Sequence, residues 1–169
     1  MSHYYHLRNY TGIPNHIIQT VVDFCCPSEL YDFKITVTPV RKSRCDEYFY
    51  GSAYTNKKKV NISLNLPFYH HYFPMFSHYR HKEIRRAGYV KEILLRNQVE
   101  VLVYLIAHEL RHLWQTNVSK QDFWGRMVFY KTWKNVVNTS FYKEEKDATL
   151  YAIKMVKLWR KELDSNQYL

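Results

Sequence analysis

Residues 101–115 read VLVYLIAHELRHLWQ, and the order of residue types in this stretch predicts the centre of the fold. Seven apolar residues, Val101 to Ala107, run without a break and are followed by two histidines and a glutamate. A helix this apolar belongs in a core, because burial of apolar surface drives folding. Ionisable groups on such a helix need partners, since a buried polar group without a hydrogen bond costs about 2–7 kcal/mol. Either neighbouring side chains satisfy these groups, or they hold a ligand.

The two histidines and the glutamate form an HExxH motif, in which His108 and His112 are separated by one helical turn. Both imidazoles therefore lie on one face of the helix and can reach one cation. Glu109 projects from the neighbouring strip, where it can take a proton from water at the metal without binding the metal. We interpret the motif as a metal site. The competing interpretation, two core histidines beside a buried glutamate, requires three polar groups to be satisfied on a helix that is apolar all round.

A catalytic zinc site uses three protein ligands and keeps one position open, so a third ligand is needed. The final helix offers three carboxylates. Glu145 shares a helical stripe that is otherwise apolar, and a carboxylate there needs a cation. Asp147 aligns with Lys154 and Lys161 on the solvent face, and Glu144 lies at the edge of the apolar arc. Glu145 is the preferred third ligand and Asp147 the second choice, while the competing role for Glu145 is an acid favoured by the helix dipole. The stripe consists of Glu145, Ala148, Ala152, Val156, Trp159 and Leu163.

The segments before the motif predict one helix and a small sheet. Apolar residues in the stretch PNHIIQTVVDFCC, residues 14–26, fall on one helical face, and Pro14 suits the first turn of that helix. Residues 33–38 alternate between apolar and polar side chains, which is typical of a half-buried strand. Residues 47–64 contain two β-type runs around a polar turn at 55–58, which predicts a hairpin. The expected apolar face of the first helix is formed by Ile17, Ile18, Val21, Val22 and Cys25.

The motif helix is predicted over 98–116, because Asn97 is a good N-cap and Glu100 occupies the capping-box position. Before it, the run YVKEILL at 89–95 is typical of a short strand. The final helix is predicted over 141–163. This order of helix, strands, helix, long connection and helix indicates an α+β fold.

Length and composition favour one domain that spans residues 1–169. The chain is 46% hydrophobic and 17% aromatic, which is enough to fill a core. Its three cysteines include an adjacent pair and no CxxC motif, which indicates free thiols in a reducing compartment. The first ten residues lack the apolar run of a secretory signal, and no apolar run approaches the roughly 20 residues of a membrane helix. These features predict a cytoplasmic protein without a membrane partner.

The chain is basic, with a formal net charge of +10 at pH 7. A basic surface attracts nucleic acid through its phosphates without reading the base sequence. The lysines and arginines are dispersed, and no nucleic-acid recognition motif accompanies them. Non-specific nucleic-acid binding is therefore the expectation from charge.

A second group of histidines is found in the segment HHYFPMFSHYRH. A proline in its middle and the lack of a clear helical spacing favour a surface loop over a second metal site. The four histidines are His70, His71, His78 and His81.

The motif AHELRH, followed about 30 residues later by EKDATLYA, resembles the gluzincin metallopeptidases, and the short chain is similar to their ImmA/IrrE-like and phage-encoded members. The resemblance implies a minimal zincin-like domain. Its twisted sheet of three or four strands would pack on the HExxH helix, and its C-terminal helix would carry the third ligand. It also implies one zinc ion per chain, bound by His108, His112 and Glu145, with Glu109 as the general base.

Two further expectations come from this resemblance. The family has Asp or Asn four residues after the third ligand, where it orients a histidine; Thr149 stands there in this chain and is a weaker partner. The family also binds extended substrates along an edge strand. The corresponding strand here would lie in the hairpin around Gly51, whose alternative role is an ordinary bulge.

These observations make a zinc-dependent metalloendopeptidase the leading hypothesis, with a protein or peptide as substrate. Two alternatives stay open: a zincin-fold binding module with structural zinc, and a nucleic-acid-associated protease of the SprT-like kind. Metal-dependent cleavage would favour the first, and salt-sensitive DNA binding would favour the last. A phage-encoded member would act in the host cytoplasm.

Overall fold

The structure is a computed structural model. Among the residues that it describes, three helices and four strands form an α+β fold. The predicted histidine cluster at 70–81 and Cys45 lie outside the residues that the structure describes. Within those residues, no helix has the length and apolar character that crossing a bilayer requires. The described residues are 4–39, 49–54, 57–64, 93, 95–118 and 139–166.

The four described strands form one mixed sheet with the order β1-β2-β4-β3. Strand β1 (Tyr5–Asn9) is parallel to β2 (Phe33–Pro39), which in turn is parallel to β4 (Lys59–Leu64). Strand β3 (Phe49–Tyr54) is antiparallel to β4 and forms one edge of the sheet made by these strands. The hairpin prediction is therefore confirmed, and the sheet has the predicted size.

The three described helices are α1 (Asn15–Cys25), α2 (Gln98–Asn117) and α3 (Thr139–Asn166). Helix α2 carries the HExxH motif and lies at the centre of the packing, where it contacts α1, α3, β3 and β4. All residues from Val101 to Leu110 are buried. The apolar run thus has the core location that its composition predicts.

The N-terminus of α2 is stabilised by the predicted cap. The Asn97 side chain accepts a hydrogen bond from the backbone N–H of Glu100 at 2.9 Å. The Glu100 carboxylate reaches back one residue further than in a standard capping box and accepts from the backbone N–H of Arg96 at 2.7 Å. The same carboxylate accepts two bonds from the guanidinium of Arg160 on α3, at 2.6 and 2.8 Å. The cap therefore also joins α2 to α3.

Periodicity predicted the buried faces of β2 and α1 well. Phe33, Ile35 and Val37 are buried, while the intervening polar side chains are more exposed. On α1, four of the five expected residues are buried and Ile17 is only partly so. The spacing of apolar residues, every second residue in β2 and every three or four residues in α1, was a sufficient signal for these elements.

Three features differ from the sequence predictions. Strand β1 was not predicted, because it is short and only two of its five residues, Tyr5 and Leu7, are apolar. In the run at 89–95, Ile93 and Leu95 are buried but belong to no strand, and the other residues lie outside the described ones. The stripe on α3 was expected to stay buried through Leu163, yet that side chain is 46% exposed because it lies beyond the part of α3 that faces the core.

Candidate metal centre

Three of the predicted site residues converge between α2 and α3. The Nε2 atoms of His108 and His112 are 3.1 Å apart. The carboxylate of Glu145 lies 3.4 Å from Nε2 of His108 and 3.2 Å from Nε2 of His112. This convergence follows from helix geometry, because one turn separates the histidines on α2 and the α3 stripe turns Glu145 toward them. The three residues form a candidate metal-binding triad.

The geometry of the triad fits a zinc ion. Zinc takes imidazole nitrogen and carboxylate oxygen at about 2.0–2.2 Å, usually in a tetrahedron. Two ligand atoms of such a tetrahedron are separated by about 3.3–3.6 Å. The observed separations are close to this value: 3.1 Å between the two Nε2 atoms, 3.2 Å from one Glu145 oxygen to His112, and 3.4 Å from the other Glu145 oxygen to His108. Two imidazoles and one carboxylate are also a donor set that catalytic zinc sites use.

The electrostatic environment keeps Glu145 ionised. Burial by itself raises the pKa of this carboxyl, but the adjacent imidazoles of His112 and His108 lower it, and the net pKa is well below the usual range. The histidine side chains are almost fully enclosed, whereas the Glu145 side chain remains 32% exposed. The two histidines on α2 are thus shielded from solvent, whereas Glu145 on α3 retains contact with it.

Gln115, which the sequence reasoning missed, contacts the second histidine. Its Oε1 lies 2.9 Å from Nδ1 of His112. Its Nε2 donates to the backbone carbonyl of Glu144 at 3.0 Å and to the Asp147 carboxylate at 2.9 Å. The available signal was spacing, because a residue three positions after His112 lies on the same helical face.

Asp147, the second choice for the third ligand, is not part of the triad. We expected it on the solvent face of α3, but it turns toward α2 and pairs with the guanidinium of Arg111 at 2.7 and 3.2 Å. Burial raises the Asp147 pKa, whereas hydrogen bonds from Arg111 and Gln115 lower it, and the net shift is downward. The Arg111 guanidinium also lies 3.9 Å from the centre of the Trp114 ring. The Asp147 carboxylate therefore contacts Gln115, and it is not one of the candidate ligand groups of the triad.

Glu109 is buried against the edge strand β3, with only 6% of its surface exposed. A methyl group added at Gly51 would lie 2.5 Å from Oε1 of Glu109 and 2.7 Å from its Cγ. Gly51 pairs with Ile62 inside a regular antiparallel ladder, so the alternative of a bulge is wrong. Any side chain at position 51 would collide with Glu109, because the glutamate occupies the space that a β-carbon would take.

Tyr104 and Thr149 are two further buried side chains on the helices that carry the triad. Tyr104, one turn before His108, is fully buried, and its ring stacks on the His108 imidazole with 6.2 Å between centroids and 21° between planes. Thr149 stands where the resembling family has Asp or Asn and is only 3% exposed. The tyrosine was read from the sequence as part of the apolar run, although its spacing of four from His108 placed it against the ring.

Comparisons of this chain with known protein families, with curated proteins and with solved structures find no match. A function can therefore be proposed only from the geometry of the triad and of Glu109.

Proposed function

We propose that this protein is a zinc-dependent metallopeptidase with a zincin-like fold. His108, His112 and Glu145 would hold the zinc ion, and Glu109 would act as the general base. The observation that carries the proposal is the convergence of two imidazoles and one ionised carboxylate within 3.4 Å, next to a glutamate on the same helix.

The chemistry divides between the ion and the chain. When bound, zinc supplies Lewis acidity, which makes water a nucleophile at neutral pH and polarises a peptide carbonyl. Glu109 accepts the proton of the attacking water and returns it to the leaving amine. Glu109 is not one of the three candidate ligands, so its role in proton transfer would be separate from holding the ion.

Packing supports the role of Glu109. Its side chain is enclosed between α2 and the backbone of Gly51, so few conformations are open to it. A base that is already oriented avoids the entropy loss of being ordered during the reaction.

The test is a mass-spectrometric cleavage screen of the zinc-loaded protein against a peptide library and a proteome lysate. Glu109→Gln keeps the side-chain shape and removes the base, so hydrolysis should fall by about 10²–10⁴-fold. Zinc content and folding should survive. Glu162→Gln, at an exposed position on α3, is the matched control and should cleave like the wild type.

Two results would contradict the proposal. Equal cleavage by the wild type and Glu109→Gln would indicate a contaminant or another mechanism. A zinc-loaded wild type that cleaves nothing would favour the binding module with structural zinc instead.

A further inference from the structure

A glutamine one turn after the second histidine joins the triad to the helix that carries Glu145. We infer that Gln115 is a positioning residue, which fixes the tautomer and the ring orientation of His112 so that Nε2 faces the metal position. This inference rests on the metal site proposed above and adds a residue outside the ligand set.

The orientation of the Gln115 amide follows from its neighbours. Its Nε2 lies 3.0 Å from the carbonyl oxygen of Glu144 and 2.9 Å from a carboxylate oxygen of Asp147. Both of these atoms only accept hydrogen bonds, so the NH₂ end of the amide must face them. A flipped amide would place its oxygen against two other oxygens. The carbonyl Oε1 therefore faces His112.

The amide orientation then fixes the imidazole. Oε1 of Gln115 can only accept, so Nδ1 of His112, at 2.9 Å, must carry the proton that is shared between them. A neutral imidazole with a protonated Nδ1 has its lone pair on Nε2. That Nε2 is the atom that lies 3.1 Å from His108 and 3.2 Å from Glu145. The hydrogen bond thus prepares the correct nitrogen for a metal.

Gln115 is itself held in place by charged groups. The Asp147 carboxylate that accepts from it is bound by two nitrogens of Arg111, at 2.7 and 3.2 Å. Arg111 lies on α2 and Asp147 on α3, so the network spans the same two helices that supply the ligands. The network therefore holds His112 and the helix carrying Glu145 in one relative position.

The chemistry of the partner also matters. Gln115 is a neutral acceptor, whereas a carboxylate partner would increase the electron density of the imidazole more strongly. It comes from α2, the helix that also carries the two histidines, whereas the Asp147 carboxylate behind it comes from α3.

The first test compares zinc and cobalt affinities by chelator competition. Gln115→Leu keeps the approximate size and removes the acceptor, so affinity should fall by about 10–100-fold. The absorption bands of bound cobalt should shift, because they depend on ligand geometry. The same substitution at Gln19, exposed on α1, is the matched control and should change neither readout. Unchanged affinity and an unchanged cobalt spectrum in folded Gln115→Leu would overturn the inference.

The second test needs no metal. Nitrogen-15 NMR of the metal-free wild type should show His112 protonated at Nδ1, and Gln115→Leu should lose this preference. His112 protonated only at Nε2 in the wild type would overturn the inference. A wild type that binds no divalent metal would refute the proposed function, and the NMR result would still decide the role of Gln115.

A third variant keeps the inference testable if Gln115→Leu does not fold. Asp147→Asn keeps the size of a side chain that is 43% exposed but removes the ionised acceptor behind Gln115. It should lower metal affinity less than Gln115→Leu does, with an unfolding temperature close to that of the wild type. If Asp147→Asn lowered affinity more than Gln115→Leu did, the carboxylate would act on the metal directly and Gln115 would lose its assigned role.

Discussion

Two polar clusters join α2 to α3, and they differ in the groups that face their carboxylates. Toward one end, Glu100 is 3% exposed and accepts three hydrogen bonds, two from Arg160 and one from the backbone of Arg96. Its negative charge is matched by a cation of the chain itself. Toward the other end, the triad brings together two imidazoles and a carboxylate, and the nearby Arg111 is bound to Asp147 instead.

The difference separates a structural ion pair from a candidate ligand site. A buried carboxylate that meets an arginine at good geometry is explained by the pair alone. A carboxylate that meets two imidazoles forms a candidate set of metal ligands, which a cation from solution would complete. Burial of a charged group on a core helix is therefore weak evidence of function until its counter-charge is known.

The largest expected effect comes from removing the third ligand. We expect about one zinc ion per chain in the wild type and almost none in Glu145→Ala or in a His108→Ala/His112→Ala double variant, because too few ligands remain. Metal content by mass spectrometry, together with chelator competition, measures this loss.

Asp147→Ala is the matched control for Glu145→Ala. It removes a carboxylate two residues away that contacts Arg111 and Gln115 instead of the triad, so most of the zinc affinity should remain. The reverse ranking of the two variants, or full zinc occupancy in the double histidine variant, would refute the assigned ligands.

A smaller effect should follow from filling the space at Gly51. In Gly51→Ala the new methyl group would displace the Glu109 carboxylate, and misplacing a catalytic group by about 1 Å can cost about 10²-fold in rate. Zinc content should be unchanged, since Glu109 is not a ligand. Peptide cleavage and metal content are the two measurements.

Ser52→Ala is the control, because the next residue of a strand points to the opposite face. It should retain wild-type cleavage. A Gly51→Ala protein that cleaves at the wild-type rate would show that Glu109 does not need the space above the glycine.

The smallest effect on the metal should come from the other cluster. Arg160→Met leaves Glu100 buried without its cation, so unfolding free energy should fall by about 3 kcal/mol while zinc content stays the same. Lys161→Met, at the exposed neighbouring position, should leave stability nearly unchanged. Denaturant unfolding with parallel metal analysis compares the two. Loss of zinc in folded Arg160→Met would contradict this prediction, because the Glu100 cluster would then also be needed for metal binding.

The same pair gives a pH dependence. Burial raises the pKa of Glu100, but its bonds from Arg160 and the Arg96 backbone lower it, and the net pKa is lower than that of an ordinary glutamate. A lowered pKa in the folded state means that the stabilisation is present above the ordinary pKa and is lost as pH falls through the lowered one. Arg160→Met should therefore lose less stability than the wild type does when the pH falls below the ordinary pKa of a glutamate.

Local sequence patterns predicted the helices, the hairpin and the position of Glu145. The α3 spacing placed Glu145 among buried alanines, and the structure turns it toward His108 and His112. Asn97 was predicted as a cap because its side chain acts within three residues of itself. In each case the deciding interaction is local or repeats along one helix.

The features that were missed depend on packing between elements. Asp147 was assigned to solvent from its helical angle, but it pairs with Arg111 on α2. The role that we infer for Gln115 depends on Asp147 and the Glu144 carbonyl, which lie beside it. Strand β1 pairs with β2, and its five residues include only two apolar ones, too few to indicate a strand from sequence.

The contact between Gly51 and Glu109 also bears on how the hairpin assembles. If β3 slipped by two residues against β4, Ala53 could take the place of the glycine, and its methyl group would collide with the buried carboxylate. A slip by one residue would turn the opposite face of the strand toward α2. The glutamate that we propose for proton transfer therefore also discriminates among pairings during folding, because only the native alignment leaves room for it.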